Sequence, residues 1–171
     1  ARKLSLFHQT ELKLDVSSFD SSGTRQYALA PFNVVERFAT DDQVSMLTGR
    51  GLRGVSRLIF RGMQKLKPYY RRRIFAEAHV RPYDANILKT PKDVYLYGYW
   101  QSGKYFAGAE EIIKKEFTLK HGIHESSMRL AEKISESESV SVHVRRGDYV
   151  SDPGAKGVLG TPDLGYYRRS I

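Results

Sequence analysis

The sequence contains no cysteine, which excludes disulfides, iron–sulfur clusters and thiolate zinc sites and fits a reducing compartment. It also has no apolar run near the roughly 18 residues that a membrane-spanning helix needs. No segment has the spacing of a P-loop or a metalloprotease motif, and with only five histidines a metal site is not expected. The remaining composition, 40% hydrophobic and 27% charged over 171 residues, is typical of a soluble globular protein of one or two small domains.

Acidic residues are absent between Asp42 and Glu77. This interval has nine cations, which equal the net charge of +9: Arg50, Arg53, Arg57, Arg61, Lys65, Lys67, Arg71, Arg72 and Arg73. The first five recur every three or four residues, so they form one stripe on a helix predicted over residues 43–66. The more common interpretation is a solvated outer face whose apolar side packs on the core. The other is a surface for an anionic membrane or nucleic acid, with membrane favoured because no aromatics interleave with the stripe.

An α/β fold is predicted because apolar alternation typical of strands is interleaved with helical periodicity. The predicted strands are residues 11–16, 94–100 and 140–144, and the predicted helices are 1–9, 43–66, 107–117, 126–137 and one beginning at Thr161. The polar stretch 135–139 predicts a boundary between domains at 1–137 and 138–171. The chain opens without Met or an N-cap, and its last helix stops within about ten residues of its start, so we interpret it as a fragment lacking both ends.

The strongest local signal is the pair Arg145 and Arg146 followed by Gly147, directly after the predicted strand at 140–144. Ligands of open α/β sheets bind beyond the carboxyl ends of strands. Guanidinium groups hold phosphate oxygens bidentately, and glycine lets the backbone approach the ligand. Asp148 is placed to orient a guanidinium or to bind a sugar hydroxyl. The residue types therefore predict an anion or phosphate site, with a surface turn of salt-bridged arginines as the alternative.

The run from His143 to Val150 resembles the first shared motif of the α-1,2-fucosyltransferases, glycosyltransferase family 11. Residues 11–19, 94–106 and 166–167 are similar, in the same order, to segments of its bacterial members. Family members are longer and begin with a strand and a Gly-Gly-x-Gly-Asn-Gln loop that would lie directly before Ala1. The resemblance therefore implies a nearly complete acceptor-side domain and the beginning of the domain that binds GDP-fucose.

The resemblance implies a GT-B-like pair of Rossmann-type α/β domains. It also implies an inverting enzyme, a galactoside α-1,2-fucosyltransferase, which moves L-fucose from GDP-fucose to the 2-hydroxyl of a terminal β-galactose without a metal. Arg145 matches the family's phosphate-binding arginine and is the expected catalytic residue. The donor-binding candidates are His143, Arg145, Arg146, Gly147 and Asp148. A structural hydrogen bond is an equal alternative for His143.

Tyr99, Trp100 and Gln101 end a predicted strand, where they would face acceptor sugar or, more commonly, pack in the core or between domains. The expected partners are GDP-fucose and a β-galactoside acceptor, with an anionic membrane surface as a further hypothesis and no nucleic acid. The expected location is cytoplasmic, extending to peripheral contact with the inner membrane face. The alternative functions are a basic binding module for nucleic acid or membrane and an adaptor with an inactive transferase fold.

Overall fold

A computed structural model of the protein describes residues 1–19, 26–77, 83–144 and 163–170. The chain divides into two compact units, Ala1–Gly122 and Ile123–Ile171. This division precedes the domain boundary predicted after residue 137, so the helix predicted at 126–137 belongs to the second unit. The assignment of acceptor and donor roles to the two parts of the chain stays a prediction.

The first unit combines helices with a small parallel sheet, as an α/β fold requires. Among its described residues the α-helices are α1 (Arg2–His8), α2 (Asp41–Thr48), α3 (Gly54–Lys65) and α4 (Glu110–Glu116), and the strands are β1 (Ile74–Ala76) and β2 (Tyr95–Tyr97). Three short 3₁₀ helices span Tyr69–Arg71, Ala85–Lys89 and Gly103–Tyr105. The second unit contains α5 (Glu125–Ser135) and α6 (Leu164–Ser170). None of the helices in the described part of the chain has the length and apolar character needed to cross a bilayer.

The sheet consists of β1 and β2 in parallel, with Phe75 opposite Leu96. The ladder extends past both ends of the strands, because Tyr95 N–H donates to the Arg73 carbonyl at 2.7 Å and Glu77 N–H donates to the Tyr97 carbonyl at 2.8 Å. The prediction of β2 within 94–100 is confirmed. β1 was not predicted, because three residues preceded by a run of arginines are too short for an alternation pattern to stand out.

The core of the first unit is built around Phe75, which is only 2% exposed. Its ring stacks on Trp100 at a centroid distance of 5.7 Å, and Trp100 meets Tyr105 edge to face at 5.2 Å. Leu4 of α1 and Ile87 complete the buried cluster. Aromatic pairs in such geometries stabilise a core beyond their buried area, so the aromatic residues near the end of β2 hold this unit together.

The single helix predicted over 43–66 is wrong, because the chain forms α2 and α3 with a break between them. α2 begins with a capping box, in which Thr40 and Gln43 each accept the other's backbone N–H. It ends at Gly49, whose φ of 71° is left-handed. A Cβ at Gly49 would lie 2.8 Å from the Phe60 ring, so this break both needs a glycine and is packed against α3.

Two other predicted strands are not formed in the described residues. Residues 11–16 contribute only an isolated bridge between Leu14 and Phe38, and residues 140–144 form no strand. Val140, Val142 and Val144 are all exposed. The alternation is present at 140–144, but no neighbouring strand of the described residues pairs with it, and a strand needs that pairing to satisfy its backbone groups. Within α1, Leu4 is buried, whereas Phe7 is 59% exposed.

Asp15 connects the loop after α1 to β2 and to the α2–α3 connection. One carboxylate oxygen accepts the Ser17 N–H at 3.0 Å and the other accepts the Tyr95 hydroxyl at 2.8 Å. Partial burial alone would raise the pKa of Asp15, but these hydrogen bonds and the nearby Arg50 charge outweigh burial and lower it. Burial, together with the bond to Asp15, raises the pKa of Tyr95 to about 12.

We predict that Asp15 stabilises the fold only where it is ionised. Because its pKa is lowered on folding, its contribution is present above the unfolded pKa and is lost as pH falls through the folded pKa. Asp15→Asn should therefore lower the free energy of unfolding near neutral pH, and the difference from wild type should shrink below about pH 4. Urea titrations at several pH values measure this. A difference independent of pH would contradict the prediction, and Asp93→Asn serves as the control for loss of one carboxylate.

Candidate functional site

The carboxyl ends of β1 and β2 are joined by Glu77, the residue directly after β1. One oxygen of its carboxylate accepts the backbone N–H groups of both Tyr99 and Trp100, each at 2.7 Å. Gly98 precedes them with a φ of 154°, and a Cβ there would lie 2.4 Å from the Glu77 Cβ. The carboxylate therefore sits against the bare glycine backbone and fixes the turn that leaves β2. Sequence reasoning missed Glu77, because β1 itself was not predicted.

The residues that leave β2 divide between the core and the surface. Trp100 is packed on Phe75 and holds a left-handed φ of 53°, so its predicted core role is confirmed. Tyr99 is 69% exposed, Tyr97 is 65% exposed and Gln101 is also exposed. Two accessible phenol rings and an amide thus lie near a fixed carboxylate at the strand ends, where open α/β sheets bind ligands.

A groove of about 630 Å³ lies on the other face of β1. Side chains alternate across a strand, so Phe75 points into the core while Ile74 and Ala76 line the groove. α3 forms its wall with Phe60 and Gln64, and the α2–α3 connection forms its rim. Gln64 is fixed there because its amide oxygen accepts the Arg73 N–H at 2.9 Å.

Five cations line this groove, which we call the cationic groove: Arg50, Arg57, Arg61, Lys65 and Arg72. The stripe predicted from the sequence therefore does exist in part, with its central members on α3. Its orientation differs from the expected one. The only half-buried residues of α3 are Phe60 and Gln64, beside the cations.

The expectation that the apolar side of this helix packs on the core is wrong. Within the helix that side, which we call the outer face of α3, carries Val55, Ile59 and Met63, each at least 57% exposed, and Leu66 directly after the helix is 88% exposed. The helix is anchored from its polar side, where the Phe60 ring covers Gly49 and Gln64 binds the backbone of Arg73. The apolar side therefore faces outward, whereas an ordinary surface helix turns its apolar side toward the core.

The predicted donor-binding residues, 143 and 145–148, form what we call the donor loop. Of these, only His143 lies within the described residues. It is exposed and follows the irregular segment after α5. Arg145, Arg146, Gly147 and Asp148 lie outside the described residues, so their predicted roles stay predictions. The paired aromatics after the motif, Tyr166 and Tyr167, lie on α6, with their rings edge to face at a centroid distance of 5.4 Å.

The sequence of the C-terminal part identifies the family. Residues 69–171, well over half of the chain, match the family described as Glycosyl transferase family 11. The chain belongs to this family. The resemblance recognised in the run from His143 to Val150 is thereby confirmed. β1, β2, Glu77 and the exposed tyrosines lie within the matched range, whereas α3 precedes it.

A curated relative gives a second, narrower comparison. The alpha-1,2-colitosyltransferase of Escherichia coli is 39% identical to this family 11 chain over 74 residues. The alignment covers 43% of this chain and 25% of the relative, so it spans about a quarter of that protein's length. Among solved protein structures, none matches this chain.

We predict that Glu77 is required for the turn after β2. Glu77→Ala leaves two backbone N–H groups without their acceptor and should lower the free energy of unfolding by about 1–3 kcal/mol. Glu111→Ala is the matched control, because the Glu111 side chain is 88% exposed and, among the described residues, forms only a surface ion pair with Lys114. Such pairs contribute about 0–1 kcal/mol. Chemical denaturation of the two variants measures the difference, and equal losses would contradict the assigned role of Glu77.

Proposed function

We propose that this family 11 chain forms part of an inverting galactoside α-1,2-fucosyltransferase. In the proposed reaction, the 2-hydroxyl oxygen of a terminal β-galactose bonds to the anomeric carbon of fucose. The bond from that carbon to the GDP β-phosphate oxygen breaks, and the hydroxyl proton is lost. The observation that carries this proposal is the family match over residues 69–171, which includes the whole His143–Val150 run.

The donor loop supplies positive charge where the reaction develops negative charge. As the sugar–phosphate bond breaks, negative charge builds on the departing diphosphate. Fixed cations that contact the diphosphate stabilise this charge and lower the activation barrier of the transfer. We assign this catalytic role to Arg145. Arg146, Gly147, His143 and Asp148 complete the GDP-fucose site. In this proposal the guanidinium groups neutralise the diphosphate and no metal ion takes part.

The proposed architecture is GT-B-like, with two Rossmann-type α/β domains. Residues 1–137 belong to the acceptor-side domain, and residues 138–171 begin the donor domain. On the acceptor side, the exposed Tyr97 and Tyr99 and the amide of Gln101 support a galactoside site at the carboxyl ends of β1 and β2. An aromatic face with convergent polar groups is the usual composition of a small-ligand site.

We predict that Arg145→Ala, made in the full-length protein, lowers fucosyl transfer about 10²–10³-fold, because the leaving diphosphate loses a preorganised cation. The assay measures fucosyllactose and free GDP from GDP-fucose and lactose in the presence of EDTA. Arg129→Ala removes an exposed arginine of α5 and is the control. Near-normal turnover of Arg145→Ala would refute the assignment, and loss of wild-type activity in EDTA would refute the metal-free mechanism.

The donor sugar has one specific alternative. The Escherichia coli relative is named for colitosyl transfer with the same α-1,2 linkage. The same assay with GDP-colitose in place of GDP-fucose distinguishes the two donors. A clear preference for the colitosyl donor would leave the proposed linkage and the role of Arg145 in place and replace the sugar.

The cytoplasmic location that we propose rests on the family resemblance, and the outer face of α3 supports peripheral contact with a membrane surface there. This face exposes Val55, Ile59 and Met63 on a helix that also carries a row of cations, in a chain of net charge +9. An amphipathic helix of this composition lies in the interface of an anionic bilayer, with its apolar side in the acyl boundary. Each nearby Lys or Arg adds about 1 kcal/mol of attraction to such a surface.

We predict that the full-length protein sediments with vesicles containing phosphatidylglycerol. Val55→Glu combined with Ile59→Glu should abolish this binding, because two carboxylates on successive turns oppose insertion of the outer face. Leu130→Glu combined with Ile134→Glu on α5 is the matched control, since both of its residues are more than half exposed at the same spacing. Equal loss of binding in the two double variants, or no wild-type binding, would contradict this location.

A further inference from the structure

The cationic groove carries positive charge that the described residues do not neutralise. None of its described lining residues is acidic. Arg50 is partly balanced, because it lies near Asp15 and donates to the Ser17 hydroxyl at 3.0 Å. Arg72 donates to the Lys67 carbonyl at 3.2 Å. The side chains of Arg57, Arg61 and Lys65, in contrast, have no hydrogen-bond or ion-pair partner among the described residues. These three residues define the cationic row.

The cationic row has the regular spacing of a single helix face. Its members are four residues apart on α3, so each side chain lies one turn above the last, with Cβ atoms about 5–6 Å apart. Like charges at this spacing destabilise a helix. An anion bound along the row would remove the repulsion. Because the row extends over two turns, it matches a ligand with two linked phosphates better than a single small ion.

The surroundings of the row strengthen its attraction for phosphate. Phe60 lies on the same wall, and Ile74 and Ala76 form an apolar floor beneath the charges. Charges that interact beside apolar groups are screened less than charges in open water. Guanidinium groups also hold phosphate oxygens bidentately, which fixes orientation as well as charge. The volume of about 630 Å³ fits an organic ligand rather than an ion alone.

We infer that the cationic groove is a second phosphate-binding site, which takes an organic ligand bearing a diphosphate or two neighbouring phosphate groups. Arg57, Arg61 and Lys65 contact the phosphate oxygens, and the floor of Ile74 and Ala76 contacts the organic part. Neither the family match, which begins after α3, nor the proposed GDP-fucose loop assigns this site. The same phosphate chemistry is offered by a soluble diphosphate and by the headgroups of a phospholipid surface.

The test measures binding of inorganic pyrophosphate to the full-length protein by calorimetry, without any sugar donor. All proteins carry Arg145→Ala and Arg146→Ala, so that the guanidinium groups of the proposed donor loop do not contribute and a failure here says nothing about fucosyl transfer. Arg57→Gln combined with Arg61→Gln should weaken binding about tenfold or more, since charge-assisted hydrogen bonds are lost. Arg129→Gln combined with Lys133→Gln on α5 removes the same charge at the same spacing from exposed positions and should leave the affinity unchanged.

Two further arms complete the test. Arg57→Lys combined with Arg61→Lys keeps the charge but loses the bidentate guanidinium contacts, so its affinity should lie between those of the wild-type groove and the glutamine variant. Vesicles of phosphatidylglycerol are titrated in parallel. Binding of vesicles but not of pyrophosphate, lost in the Arg57/Arg61 glutamine variant and retained in the Val55/Ile59 glutamate variant, identifies phospholipid headgroups as the source of the phosphate. Absence of binding to both probes, or equal weakening by the groove and α5 double variants, would overturn the inference.

Discussion

Burial of Phe75 is the constraint on which the first unit depends. It sits at the centre of β1, stacks on Trp100 and faces the cluster that includes Leu4 and Ile87. Because side chains alternate along a strand, this one burial also decides what faces the other way. Ile74 and Ala76 become the floor of the cationic groove, and Glu77 is carried to the edge where β2 ends. One packed ring thus positions both surfaces to which we assign ligands.

The elements that sequence patterns predicted best are those in which local and tertiary preferences agree. β2 is dense in aromatic and β-branched residues, and α4 and α5 have clear helical periodicity. β1 was missed because its strand character comes from pairing with β2 rather than from its own three residues. The break at Gly49 was missed for a related reason, since the periodicity of the cations continues across it. Its local signal was Gly49 itself, whose left-handed φ of 71° ends α2.

The candidate site likewise has features that the sequence predicts and features that only the folded structure reveals. The run around Arg145 identified the family because a short motif specifies chemistry without reference to its surroundings. The cationic stripe was also visible, but a helical pattern fixes only which residues share a face, and it does not fix which face meets the protein. That choice is made by Phe60 against Gly49 and by Gln64 against the backbone of Arg73. Glu77 gave no signal at all, because a single carboxylate acquires its role only when two strands end beside it.

The attachment of α3 has a consequence for how the molecule opens. The helix contributes no fully buried residue, and only Phe60 and Gln64 are even half-buried. Local unfolding of a segment costs little when few apolar contacts are broken. The backbone amides of α3 should therefore exchange with deuterium by detachment of this helix alone, while those of β1 exchange only when the whole unit unfolds. The wall of the groove is thus a thermodynamically separate segment, and anything that binds to it also slows that exchange.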